Sequence, residues 1–156
     1  PGELQRFNTI GTRWSYTTSI FSFNESTLVR GVSAVIPQRG HYMELGLTSS
    51  KEPSTAKHID YSMYVHANNH LYTYLNGAQI GSSSAYQVGD KIWLILNKNR
   101  YVEFWQRSSS IGINKLMYTS KQKLENYPLH AVVKMYSGDT AMKSIRWVGD
   151  NINNLI

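Results

Sequence analysis

The side chains able to do chemistry are few and scattered. Five histidines stand at His41, His58, His66, His70 and His130. His66 and His70 flank the "ANN" of "HANNH", which puts two imidazoles at one hairpin mouth, with Asp60 the possible third ligand. Zinc needs three or four ligands in tetrahedral array. Calcium needs several oxygens from one loop, and "EPSTAKHID" and "YSGDT" hold too few carboxylates. No metal and no cofactor is expected. The chain has no cysteine, which removes thiolate nucleophiles, Cys-ligated clusters and disulfides together. The serine triplets at 82–84 and 108–110 lie outside any Gly-x-Ser-x-Gly elbow. Glycoside hydrolysis needs two carboxylates across one bond. The interior-strand carboxylates are Glu44 and Glu103. Glu103 shares a strand face with Tyr101 and Trp105, a lining suited to a sugar, but no second carboxylate has a matching spacing. The chain is therefore not expected to be an enzyme.

Binding residues are better represented. Tyrosine occurs 11 times, and it combines a flat apolar ring with a hydrogen-bonding tip. In "LYTYL", Tyr72 and Tyr74 share the face opposite Leu71 and Leu75. If the leucines point inward, both phenols point outward as a rigid contact surface. Asn and His supply directional hydrogen bonds, and an arginine can pair with an acidic group. The expected ligand-binding set is His66, Asn68, Asn69, Tyr72, Tyr74, Arg100 and Trp105. The partner is a glycan or a protein or peptide. Phosphate-loop, dinucleotide and RNA-binding signatures are absent, so nucleic acid is not an expected partner.

These residues need strands to position them. No long segment repeats apolar residues at helical spacing, whereas period-two alternation bounded by turn residues recurs. In "LVRGVSAVIP", Leu28, Val32, Ala34 and Ile36 share one face. "HYMELGLTS" puts Tyr42, Glu44 and Gly46 opposite Met43, Leu45 and Leu47. "IDYSMYV" puts Ile59, Tyr61, Met63 and Val65 together. Asn76-Gly77 is a two-residue hairpin turn. "KIWLIL" barely alternates and reads as a strand buried on both sides. "YVEFWQ", "KLMYTS", "YPLHAVVKMYS" and "AMKSIRWV" follow. The expectation is an all-β fold of ten to fourteen strands in two antiparallel sheets, with little or no helix and a single domain over 1–156. Trp93, Leu94, Val102, Phe104, Val132, Met135 and Trp147 are expected to be buried. Because successive hairpins alternate ends, the loop 49–57 and Asn76-Gly77 are expected at one end. The "ANN" turn is expected at the other, near "VGD" or "NKNR".

Composition fits a globular chain with 17% charged residues and a net charge of +6. Its cations are dispersed, as on a solvated surface, with no basic run. No apolar stretch approaches the ~20 residues of a membrane-spanning helix.

"GDKIWLILNKNRYVEFWQ" resembles the paired central strands of SPRY-type and concanavalin A-like domains, in which Gly-Asp precedes a buried strand and an aromatic strand returns. "NYPLHAVVKMYSGDTAMKSIRW" resembles the next element of that pattern. "LTSSK" and "IDYSMYVHANNHLYTYLNG" are similar to the preceding hairpin of lectin-like members. The usual "FYKNG" turn is replaced by "FWQRSSSIGIN". The resemblance covers somewhat more than half the chain. It implies a jelly-roll-like sandwich and a recognition role, foremost a carbohydrate-binding or adhesion domain of a larger surface or secreted protein. A peptide-binding domain of the SPRY kind is the alternative, and a glycan-cleaving enzyme the second. The resemblance also implies an extracellular or cell-surface location. The start at Pro1-Gly2 reads as a trimmed end, with any targeting sequence outside it.

Overall fold

Where β-branched and aromatic residues alternate with polar ones between turn-forming residues, the chain forms strands. The computed structural model describes residues 15–23, 29–49, 59–125, 128–135 and 143–149. Among them are eleven strands: β1 (Ser15–Phe23), β2 (Val29–Val35), β3 (Met43–Thr48), β4 (Tyr61–Val65), β5 (His70–Leu75), β6 (Ala78–Ala85), β7 (Lys91–Leu96), β8 (Val102–Arg107), β9 (Asn114–Thr119), β10 (Leu129–Met135) and β11 (Lys143–Gly149). No helix occurs among the described residues. Sheet I has six strands in the order β1-β10-β3-β4-β5-β6, and sheet II has five in the order β11-β2-β7-β8-β9. Every pairing is antiparallel. The architecture is an all-β two-sheet sandwich, compatible with a jelly roll.

The core lies between the sheets. Sheet I contributes Met43, Leu45, Leu47, Met63, Val65 and Leu71, and sheet II contributes Val32, Ala34, Ile92, Leu94, Leu96, Val102 and Phe104, all buried in one cluster. β7 is the central strand of sheet II, which explains its unbroken apolar sequence. Ile92, Leu94 and Leu96 fill the core, while Trp93 and Ile95 form a second cluster with Val148 on the outer face. Trp93 and Trp105 are direct cross-strand partners. Their rings stack in parallel at 5.7 Å.

Several expectations are corrected in detail. Trp93 is fully buried, as expected, and its place is in the second cluster on the outer side of sheet II. Trp147 is only partly buried, packed against the core. Ile59 is buried but leaves the face of Tyr61, Met63 and Val65. It packs beside Gly46, where an added Cβ would lie 2.7 Å from Ile59 Cγ2, because the chain bends at Asp60 before β4 begins. β1 has no counterpart in the sequence reading. It is an edge strand held by β10 alone, with an irregularity between Thr18 and Ser22, and an edge strand carries little hydrophobic signal. Leu28, the 50–57 part of the polar loop and the "SGDT" turn lie outside the described residues.

One buried carboxylate ties the His66 end of the sandwich together. Asp90 is almost fully buried. Its Oδ2 accepts from Gln87 N–H and from Gln106 Nε2, both at 3.0 Å. Its Oδ1 accepts from Ser109 N–H at 2.8 Å and Ser109 Oγ–H at 3.1 Å. The β6–β7 and β8–β9 connections are thereby fastened to each other. Asp90→Ala would strand these donors at a cost of roughly 1–3 kcal/mol for each one left unsatisfied. We expect Asp90→Ala to lower unfolding free energy by at least about 2 kcal/mol and Asp90→Asn, which keeps acceptor capacity, to lower it less. Urea denaturation of the three proteins checks the order.

Candidate functional site

Pleating decides which side chains reach the outer face of sheet I. With Leu45, Met63, Leu71 and their neighbours inward, Glu44, Tyr64, Tyr72 and Tyr74 must point outward. The register aligns Lys134, Glu44, Tyr64 and Tyr72 across four adjacent strands. Ser62 and Tyr74 stand in the next row. Tyr42 lies just before β3, and His66 just after β4.

The result is a continuous aromatic surface. Tyr42 and Tyr64 stack at 6.1 Å. His66 meets Tyr42 edge-on at 4.9 Å, Tyr64 at 5.5 Å and Tyr72 at 5.5 Å. Tyr64 meets Tyr74 at 5.6 Å. All five rings are half-buried. Farther along the same face, Ser62, Thr48 and Val132 are covered, so the open portion lies toward the His66–Asn69 turn.

That turn is built to position its side chains. Asn69 adopts a positive φ of 68°, a conformation asparagine tolerates. His66 N–H donates to His70 O, and Asn69 N–H to His66 O. His66 Nδ1 accepts from Asn68 N–H at 3.0 Å, which leaves its other ring nitrogen to carry the proton. Asn68 Oδ1 accepts from His70 N–H, and Asn68 Nδ2 donates to the Tyr72 hydroxyl at 2.7 Å. The Tyr86 hydroxyl donates to His66 O, fixing the turn against the chain leading to "VGD".

Two of the phenols, Tyr64 and Tyr74, hold their protons more tightly than a free tyrosine. Burial is the main cause that raises Tyr64 well above the usual tyrosine range, with Tyr42, Glu44 and Tyr74 adding to it. Burial and then Glu44 and Tyr72 raise Tyr74 in the same direction. Glu44 is held by the Ser62 hydroxyl at 2.6 Å and by Lys134 Nζ at 3.7 Å. The surface thus offers hydroxyl donors and flat rings together with one paired carboxylate.

The structure brings together His66, Asn68, Tyr72 and Tyr74 from the expected set. Asn69 is in the same turn, but its Oδ1 is buried without a partner, and its backbone carbonyl accepts from Tyr86 N–H. Its role is to shape the turn. Arg100 and Trp105 do not join them. Arg100 is in the β7–β8 turn at the opposite end, where its carbonyl accepts from Leu124 N–H. Of the two neighbours expected for "ANN", "VGD" is therefore correct and "NKNR" is not. Trp105 lies on the outer face of sheet II, its Nε1 donating to Glu103 Oε1 at 3.0 Å. Tyr42, Tyr64 and Glu44 belong to the surface and were not in the expected set. The alternation of "HYMEL" and "YSMYV" already placed all three opposite the apolar face. Their strand order was the missing step.

Two further arrangements bear on chemistry. Glu44 and Glu103 occupy outer faces of different sheets, so they do not flank a common substrate. At the Asn76 end an open cleft of about 770 Å³ is lined by Ser49, Asp60, Asn76, Ser120, Gln122, Lys123 and Glu125 over Tyr61, Leu75 and Leu124. Asp60 there accepts from Ser49 N–H and Oγ–H at 3.0 and 2.7 Å. Among the described residues no three His, Asp or Glu side chains come together as a metal site. No protein-family model and no curated protein matches the chain.

Tyr61, Tyr64, Tyr74 and Tyr86 all hold their protons more tightly in the fold than a free tyrosine does. A proton held more tightly when folded contributes stability that is complete below the ordinary tyrosine value and declines as pH rises past it. We expect stability to be insensitive to these groups below pH 10, the unperturbed value, and to fall above it. Phenolate absorbance of these rings should appear at higher pH in the folded protein than in the unfolded one. Tyr64→Phe should flatten the alkaline fall.

Proposed function

We propose that this chain is a non-catalytic carbohydrate-binding or adhesion module of a larger surface or secreted protein, holding a glycan on the open face of sheet I. The observation that carries this reading is the contiguous cluster of Tyr42, Tyr64, His66, Tyr72 and Tyr74, bordered by Asn68 and the Glu44–Lys134 pair. Sugar rings present C–H faces that pack on flat aromatic surfaces, and hydroxyls that exchange hydrogen bonds with phenol, amide and imidazole groups. Tyr64, Tyr72 and Tyr74 sit on strands, Tyr42 and His66 at strand ends, and the rings brace one another. Little side-chain freedom is then left to lose on binding. The sandwich architecture and the "GDKIWLIL…YVEFWQ" resemblance to concanavalin A-like and SPRY-type domains support the same reading by analogy of fold. An extracellular or surface location accompanies it.

The alternative is a peptide-binding domain of the SPRY kind using the end loops. The end cleft is lined mainly by polar residues, whereas a loop pocket for a peptide anchor is mostly apolar. That contrast favours the sheet face. A glycan-cleaving enzyme is the second alternative, and the presence of both Asp60 and Glu125 in the same cleft is the observation in its favour.

The test is a glycan array and calorimetry against soluble polysaccharides, run beside a pull-down for protein partners. Tyr72→Ser/Tyr74→Ser is expected to weaken glycan binding about tenfold, since a ring contact is worth about 0.5–1.5 kcal/mol and about 1.4 kcal/mol is tenfold in affinity, with the melting temperature moved by only a few degrees. An array without hits beside a specific protein partner would replace the glycan reading with the peptide one. Sugar release abolished by Asp60→Asn or Glu125→Gln would replace it with the enzyme.

A further inference from the structure

Exposed apolar side chains scattered singly over a surface need no explanation. Those of this protein are not scattered. Among the described residues the exposed large apolar side chains are Ile111, Ile113, Val88 and Leu116, at 69%, 62%, 49% and 45% exposure. All four belong to one corner. Ser109 Oγ–H donates to Val88 O at 3.2 Å, which joins the β6–β7 turn to the β8–β9 loop. Leu116 follows on β9, opposite Trp105.

The loop that carries the isoleucines is held in shape. Ser108 N–H donates to Ile113 O at 3.1 Å, and Gly112 N–H to Ser108 O at 2.8 Å. Gly112 takes a positive φ of 68°, and Ser109 is anchored on buried Asp90. Residues 109–116 are all exposed, so the tip projects and forms no groove.

Cations border this tip. Arg107 lies beside Gly112, whose added Cβ would be 3.4 Å from Arg107 Nη2. Arg107 Nη1 donates to Asn114 Oδ1, and Lys115 Nζ to Ser84 Oγ, both neutral partners. Lys91 is directly opposite Arg107 in the sheet. Burial, and then the fields of Arg107 and Arg146, hold the Lys91 ammonium below lysine's usual range. Glu103, on the same strand face as Arg107, is occupied by Asn97 and Trp105.

We infer that this corner docks on an anionic phospholipid bilayer, with Ile111 and Ile113 entering the headgroup–acyl boundary and Arg107 and Lys115 against lipid phosphates. Apolar insertion beside basic residues is how interfacial proteins hold acidic membranes without spanning them. This surface shares no residue with the tyrosine face and stands independently of the glycan reading.

The experiment is vesicle co-sedimentation of the whole chain. One set of vesicles is phosphatidylcholine with phosphatidylserine, and the other is phosphatidylcholine alone, each at low and high salt. The wild type should sediment with the acidic vesicles, weakly or not at all with neutral ones, and less at high salt. Ile111→Ser/Ile113→Ser should partition about tenfold or more weaker. Arg107→Gln/Lys115→Gln should also weaken binding and flatten its salt dependence. Thermal melts should match the wild type, because these side chains are exposed. Tyr72→Ser/Tyr74→Ser should leave vesicle binding intact, which separates this site from the glycan site. The proposal is overturned if the wild type ignores acidic vesicles, binds neutral ones equally, or is undiminished by the isoleucine changes. It is also overturned if the isoleucine changes merely dissolve a dimer of a protein that binds no vesicle.

Discussion

The parity of β3, β4 and β5 governs most of this structure. Side chains on a strand alternate between faces, so a slip of one residue would exchange the two sets. In the register observed, Met43, Leu45, Leu47, Met63, Val65 and Leu71 are buried together. The alternative register would put Glu44, Tyr64, Tyr72 and Tyr74 into the core and the aliphatic side chains into water. Each fully buried aliphatic side chain contributes about 1.5–3 kcal/mol, and a buried unpaired carboxylate would cost more than one such gain. The tyrosine face is therefore a direct consequence of core formation. The same burial that stabilises sheet I sets the phenols in a row.

Sheet II distributes its residues differently. β7 is central and covered on both sides, so parity there separates two apolar clusters instead of an apolar face from a polar one. The Trp93–Trp105 stack at 5.7 Å belongs to the outer cluster, with Trp105 oriented by its hydrogen bond to Glu103. Aromatic pairs of this kind add about 0.5–1.5 kcal/mol beyond area burial. Glu103 is in turn held by Asn97 Nδ2 at 3.0 Å, while Asn97 Oδ1 organises the turn through Asn99 and Tyr101 N–H. A residue that reads as a catalytic candidate in sequence is occupied here in fastening a hairpin to a tryptophan.

The Gly-Asp ahead of β7 has a comparable physical explanation. Gly89 takes a φ of 92°, which only glycine adopts without strain. Asp90 then accepts four hydrogen bonds, one from Gln87 in its own β6–β7 turn, one from Gln106 on β8 and two from Ser109 in the β8–β9 loop. One dipeptide thus locks the β6–β7 turn to the β8–β9 loop at the end where the His66 turn also lies. The rigid tip bearing Ile111 and the ordered histidine turn both depend on this joint, the latter through Tyr86.

Period-two alternation, the Asn76-Gly77 turn and the unbroken "KIWLIL" were enough to predict an antiparallel sandwich, the central place of β7 and the outward direction of Tyr72 and Tyr74. These are local properties, because pleating and turn stereochemistry act over a few residues. Strand order is not local. Tyr42, Tyr64 and Glu44 become part of the tyrosine surface only because β3, β4 and β5 are neighbours, and Arg100 and Trp105 leave it because sheet II presents its own face and the β7–β8 turn closes at the far end. The bend at Asp60 that turns Ile59 away from its expected face, and the edge position that lets β1 form with so little apolar signal, likewise arise from contacts between segments distant in the chain. Alternation in the sequence determined which side of a strand each residue occupies. Tertiary pairing decided which sides meet, since register and order are chosen by the burial of all strands together.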